Sequence, residues 1–381
     1  MEEESPPILH SPPGPEVIID GRRYLYFGGT SYLGLAGHPE VIEAACEATR
    51  RYGIHTATSR AGFGNNPPTL AVERLAAEFF GVEDAFYFVS GYVGNHIVVQ
   101  ALSRGSDRVF LDEASHYSVR EAARLTGAPV RSFRHRDAED LRQVLRENLT
   151  PGERPLVMTD GVFPLTGALA PIREYAQIMR DYSLAAIVVD DAHGFGVLGE
   201  RGRGTVEHLN LWSTEVNAAP SAQGVGLFHC GTLSKALGGF GGIVAGSREF
   251  VQHTRASSHY FDGASAPPAG AAAGSAKALE IVMREPELRA RLAENSGRMR
   301  AGLRQLGLAV EDWPTPNIGV RIGTAVEMRN IHAMLKERGL LVPYFANYSG
   351  AGQEGILRVA VFATHTHEMI DRLLAELRAI L

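Results

Sequence analysis

Two cysteines, Cys46 and Cys230, are all that 381 residues contain. That is too few for a disulfide framework, and they lack metal-ligand spacing, so no metal site is expected. No apolar run approaches the roughly 20 residues of a membrane span. The start, MEEESPP, is acidic and proline-rich, with no basic region leading into an apolar one, which argues against a signal peptide. Excess positive charge is absent too: the formal net charge is −6, which speaks against a nucleic-acid surface and gives no support for a membrane anchor. A soluble protein of the reducing cytoplasm is therefore expected. Lysine is the other scarcity. Of 37 basic residues only Lys235, Lys277 and Lys336 are lysines. Arginine cannot form a Schiff base, so any side-chain amine chemistry must come from these three.

What is present is an ordinary globular balance, 45% hydrophobic and 21% charged, enough for a large core. The length suggests two or three domains of about 150 residues each. Five prolines within residues 6–15 indicate an extended arm. EVIIDGRRYLYF reads as a β-hairpin turning at Asp20-Gly21. Val41, Ala44, Ala45 and Ala48 lie at helical spacing and stop at Gly53. Apolar runs then recur at 86–90, 109–112, 130–133, 155–160, 185–191, 225–230 and 242–246, several separated by helical segments such as 136–148 and 171–183. Strands alternating with helices imply crossover connections and a buried, mostly parallel seven-stranded sheet. Residues 213–224 read as a plain loop, and helical and strand patterns from about 251 onward read as a smaller α/β domain. The expected division is an arm, hairpin and helix over 1–50, a large domain over 51–250 and a small one over 251–381.

Three segments fall at strand ends, where open α/β sheets bind ligands. In VSGYVGN (89–95) a strand ends at Ser90-Gly91-Tyr92 and a helix begins. Its free N–H groups suit a phosphate, although an ordinary strand-to-helix turn reads the same way. In VVDDAHGFGVLGERGRG (188–204) two carboxylates end a very apolar strand, with His193 three residues beyond Asp190. Buried carboxylates need a cationic partner, and a protonated pyridine nitrogen would serve; a metal pair or a helix cap are the other readings. In HCGTLSKALGGFGG (229–242) Lys235 lies between Thr232, Ser234 and a run of glycines, where desolvation would favour its free amine; a structural turn lysine is the other reading. Lys277 and Lys336 lie in helical stretches and read as solvated side chains. A phosphate cradle, an acid for a pyridinium, a neighbouring histidine and a Schiff-base lysine are the parts that pyridoxal 5′-phosphate needs.

VDDAHGFGVLGERGRGT and GTLSKALGGFGG, within a likeness running from SYLGLAGHPEV (31–41) to ATHTHEMIDRLL (363–374), resemble the α-oxoamine synthases among fold-type-I pyridoxal-phosphate enzymes. The resemblance implies that Lys235 carries the cofactor as a Schiff base, Asp190 pairs with its ring nitrogen and His193 reaches its phenolic oxygen. His116, in DEASHYS, matches the histidine that stacks on the ring. Ser90, Gly91, Tyr92 and Thr232 match phosphate-site positions, and Ser265 is the nearest match to a phosphate ligand given by a partner chain. Arg358 matches the arginine that holds the amino-acid carboxylate. The reaction implied is condensation of a small amino acid with an acyl thioester, on coenzyme A or a carrier protein, with loss of carbon dioxide, in a homodimer. The alternative is an aminotransferase or other amino-acid reaction on the same scaffold. Thr30, Thr69 and Pro164 stand where the family has asparagine, histidine and serine.

Overall fold

A computed structural model describes residues 6–102, 106–213, 216–217 and 224–381. The first five residues of the arm and most of the loop at 213–224 lie outside the described residues.

The hairpin forms as read, from strands β1 (Glu16–Ile19) and β2 (Arg22–Tyr26). Asp20 and Gly21 both take positive φ, 49° and 77°, the backbone of the tight turn that matches strand twist. Seven strands follow: β3 (Asp84–Phe88), β4 (Arg108–Asp112), β5 (Val130–Phe133), β6 (Pro155–Asp160), β7 (Ala186–Asp190), β8 (Gly226–Thr232) and β9 (Gly242–Gly246). They form one sheet in the order β3-β9-β8-β7-β6-β4-β5. All seven coincide with the apolar runs read from sequence. Every pairing from β8 through β7, β6 and β4 to β5 is parallel, and β9 alone runs against its neighbours β3 and β8. Strands β6 and β7 are buried along their whole length, which is why they read as continuous apolar runs instead of alternating ones.

Helices cover both faces. Tyr117–Leu125 and Gly94–Leu102 pack with Phe86, Val109, Met158, Val188 and Phe228 on one side. Ala138–Asn148 and Ile172–Met179 close the other with Phe110, Val157, Ile187 and Val189. Helix Ala269–Arg284 lies against helices Pro39–Tyr52 and Pro67–Phe80, with small residues at the contacts.

The chain ends in β10 (Asn317–Val320), β11 (Leu340–Leu341), β12 (Tyr344–Phe345) and β13 (Ile356–Ala360), with helices Glu287–Gln305, Ala325–Glu337 and His367–Ile380. LLVPYF is thus two short strands, and Pro343 between them supplies no N–H for a continuous ladder. Strands β10, β13 and β12 pair antiparallel, whereas β11 joins β2 in parallel. The N-terminal hairpin therefore shares a sheet and a core, through Leu25 and Phe27, with the last third of the chain. Among the described residues no helix is long and apolar enough to cross a membrane.

Candidate active site

Parallel strands expose their carboxyl ends along one edge. There β6 ends at Asp160, β7 at Asp190 and β8 at Thr232, on three adjacent strands. A cavity of about 350 Å³ opens over them. Its walls bring together Ser90, Gly91, Tyr92, His116, Asp190, His193, Thr232, Lys235 and Arg358, nine of the ten residues singled out from sequence.

At one end of the cavity, the Ser90 hydroxyl accepts the Tyr92 N–H at 3.3 Å and caps the turn leading into helix Gly94–Leu102. The Thr232 hydroxyl donates to the Gly241 carbonyl at 2.8 Å and accepts the Ser234 N–H at 3.0 Å. A Cβ on Gly91 would lie 2.4 Å from Thr232 Cβ. The glycine is what lets two strand ends approach closely enough to form an anion cradle of hydroxyls and backbone N–H groups at a helix start.

Asp190 is buried, and three donors fix its carboxylate. Asn95 Nδ2 donates to Oδ2 at 2.6 Å, Ser118 Oγ to the same oxygen at 3.2 Å, and the Ala192 N–H to Oδ1 at 3.1 Å. Asn95 is itself oriented by Cys230, whose Sγ donates to its Oδ1 at 3.4 Å. His116 caps helix Tyr117–Leu125, its Nδ1 accepting the Ser118 N–H, and its own N–H donates to Asp160 at 2.8 Å. Burial, with help from Lys235, draws His116 below its ordinary pKa against the pull of Asp190. Burial and the nearby Asp190 push Asp160 well above the carboxylate range.

Lys235 faces this carboxylate pair. Burial lowers its amine from 10.5 to about 8, opposed by Asp190 and assisted by Arg358. Its Nζ lies 3.1 Å from His193 Nε2, His193 Nδ1 lies 2.8 Å from the Tyr32 hydroxyl, and that hydroxyl accepts from Arg358 Nη2 at 3.2 Å. Burial first, then the charges of Lys235 and Arg358, hold His193 neutral. Arg358 Nη2 also donates to the Gly29 carbonyl at 2.8 Å, and its buried Nε has no hydrogen-bond partner.

The second carboxylate of the Asp-Asp pair faces elsewhere. Asp191 accepts the N–H and the hydroxyl of Thr205 at 2.7 and 2.6 Å. A Cβ on Gly194 or Gly204 would come within 1.9 and 2.1 Å of its oxygens. Asp191 thus accounts for Gly194 and Gly204, whereas Gly199 makes room for Glu207, and Gly196 and Gly202 take positive φ. Neither a metal pair nor a shared ligand results: among the described residues no group of histidine, cysteine and carboxylate side chains could hold a metal ion.

Ser265 stands apart. It is exposed, bridged to Ser59, and outside this chain's cavity lining. Thr30 and Pro164 line the cavity, whereas Thr69 is buried inside helix Pro67–Phe80 with its hydroxyl unpaired. Sequence reasoning missed Tyr32, Asn95, Ser118, Asp160 and Tyr348. For Asn95 a signal existed: an amide inside the apolar run VGNHIVV is out of place unless it has a buried partner. Asp160 carries the same mark as Asp190, a carboxylate ending an apolar run, PLVMTD, and nothing local marks Tyr32, Ser118 or Tyr348.

The aminotransferase class I and II family matches residues 23–377. An 8-amino-7-oxononanoate synthase of Methylococcus capsulatus is 38% identical over 370 residues, covering 97% of this chain and 92% of the relative. A Sphingomonas wittichii serine palmitoyltransferase superposes with a TM-score of 0.89 at 28% identity, covering 98% of this chain and 91% of that one. A serine palmitoyltransferase from S. paucimobilis, solved with a pyridoxal-phosphate–myriocin adduct, gives 0.88 at 26%, covering 98% and 92%. The chain belongs to the aminotransferase class I and II family and, within it, to the α-oxoamine synthases of fold type I. It is an enzyme, and its cofactor is pyridoxal 5′-phosphate. The residues present fit that group: the cradle at Gly91 suits a phosphate, and the buried Asp190 carboxylate suits a ring cation.

Proposed function

We propose that this enzyme condenses a small amino acid with an acyl thioester, giving an α-amino ketone, carbon dioxide and free thiol. The observation that carries the reading is the convergence on one cavity of a lysine amine, a buried aspartate held by hydrogen bonds, a histidine beside the amine and an arginine with an unpaired donor. The product named by the 38%-identical relative, 8-amino-7-oxononanoate, is itself an α-amino ketone.

When bound, pyridoxal phosphate supplies an electron sink for bonds broken at the amino acid's α-carbon. Lys235 would hold it covalently, and Asp190 would keep a proton on its ring nitrogen. His193 would donate to its phenolic oxygen, and His116 would lie on its face. Ser90, the Gly91–Tyr92 backbone and Thr232 would hold the phosphate. Arg358 would take the substrate carboxylate, leaving Lys235 or His193 to accept the α-proton. Pro164 contributes no N–H or hydroxyl to the cavity edge. We further propose a cytoplasmic homodimer in which Ser265, turned away from its own cavity, serves the partner's.

Purified protein should be yellow, and borohydride should bleach the band and leave the label on Lys235. Small amino acids should perturb the spectrum, and an acyl-coenzyme A or acyl carrier protein should then release thiol and carbon dioxide. Formation of pyridoxamine phosphate with no thioester present would instead establish transamination. A label on Lys277 or Lys336 would overturn the site.

A further inference from the structure

We infer that Tyr32 is a positioning residue that ties the guanidinium of Arg358 to the amine of Lys235, through His193, by one directed chain of hydrogen bonds. The direction follows from which groups can donate. The guanidinium has donors only, so at 3.2 Å the Tyr32 oxygen is the acceptor. The hydroxyl proton, buried with the side chain, then needs an acceptor, and among the hydrogen bonds of the described residues the partner left for it is His193 Nδ1, 2.8 Å away. A ring nitrogen that accepts carries no proton, so a neutral His193 holds its proton on Nε2. Nε2 lies 3.1 Å from Lys235 Nζ, and two N–H groups cannot face each other there. The chain is complete when the lysine presents a lone pair, that is, as a free amine. The chain thus favours the free amine of Lys235.

Other groups around the amine have to be weighed. Asp190 on β7 and Asp160 on β6 favour its charged form; Arg358 on β13 and burial oppose it, and the net result is a lowered pKa. His116 lies at the same cavity wall. The carboxylates act through space, whereas Tyr32 acts by fixing the tautomer of His193, which lies 3.1 Å from the amine. Tyr32 is fully buried, and its β-carbon framework would be unchanged in Tyr32→Phe, so that variant removes the hydroxyl alone.

The consequence for cofactor capture rests on the proposed role of Lys235, but the hydrogen-bond chain does not. The test therefore reads the chain directly in full-length protein, cofactor-loaded and cofactor-stripped. Nitrogen-15 histidine spectra, with His193 assigned by its loss in His193→Gln, should show the proton on Nε2 and a hydrogen-bonded acceptor at Nδ1. A proton on Nδ1 in the wild type overturns the inference without any variant. Competitive acetylation of the stripped protein with acetic anhydride, mapped by mass spectrometry, reads the lysines one by one. In Tyr32→Phe the Lys235 midpoint should move up by about one pH unit, because an unfixed His193 can accept from an ammonium. Lys277 and Lys336 should keep theirs. An unmoved Lys235 midpoint in a folded Tyr32→Phe overturns the inference. Failure of the proposed function would show separately, as absence of a borohydride-sensitive band in the wild type.

Discussion

Gly91 has no side chain, and Thr232 stands where one would go. In Gly91→Ala the new methyl must displace Thr232, whose hydroxyl is committed to Gly241 and Ser234. Cofactor affinity should fall at least tenfold by equilibrium dialysis, while the thermal midpoint changes little, because the collision is confined to the cavity wall. Lys235 makes a pH prediction of the same local kind. Its amine is lowered to about 8, so the free nucleophile gains population as pH rises towards 8 and is complete well below the ordinary lysine value of 10.5. The rate of pyridoxal-phosphate uptake by stripped protein, followed at the visible band, should plateau above about pH 8–9. A rate still climbing steeply at pH 10 would mean an unperturbed lysine.

At the scale of elements, the segment after β7 is a glycine-rich loop wound about one buried carboxyl. Burial raises Asp191 from 3.8 to about 7, against the opposing hydrogen bonds from Thr205. A carboxyl whose folded pKa is raised binds its proton more tightly in the folded chain, so its stabilising contribution is complete below about pH 4 and is lost as pH rises through about 7. Asp191→Asn should remove that fall. Urea unfolding between pH 4.5 and 7.5 checks it, as the difference between the two slopes. A second element-level device is the ion pair of Arg60 with Glu73, both buried, at 2.6 and 2.9 Å. Glu73 also accepts the Tyr87 N–H, so the pair pins the segment before helix Pro67–Phe80 to β3. Arg60→Met removes the main partner of Glu73 but leaves Arg255 at 3.3 Å, and should cost about 1–3 kcal/mol by chemical denaturation.

At the scale of the whole molecule, the seven strands were legible because burial on both faces writes an apolar run into each. Their spatial order was not, since nothing in GIVAG says that β9 runs against its neighbours. The site divided along the same line. Lys235, Asp190 and His193 announce themselves by local context: a lysine among glycines, and a carboxylate ending an apolar strand. Tyr32 and Ser118 acquire their roles only where distant segments meet, 161 positions apart for Tyr32 and His193 and 72 for Ser118 and Asp190. Arg358 sits on β13 yet is anchored to Gly29 and Tyr32 near the other end of the chain. Arg358→Ala should weaken amino-acid binding by about 1.5–3 kcal/mol, tenfold or more, with cofactor binding nearly unchanged. Spectral titration measures both constants.

The meeting of Gly29 with Arg358 across 329 positions also sets an order in time. A ribosome adding about 5–20 residues per second makes the second partner tens of seconds after the first. During that interval Lys235 has been synthesised but Arg358 has not, so no guanidinium yet lies beyond Tyr32 and His193. Burial, the main cause of the lowered Lys235 pKa, does not depend on that residue, but the smaller contribution of Arg358 waits for β13. Completion of β13 is the event that adds the Arg358 guanidinium to the cavity wall, so the site is whole only once both ends of the chain have been made.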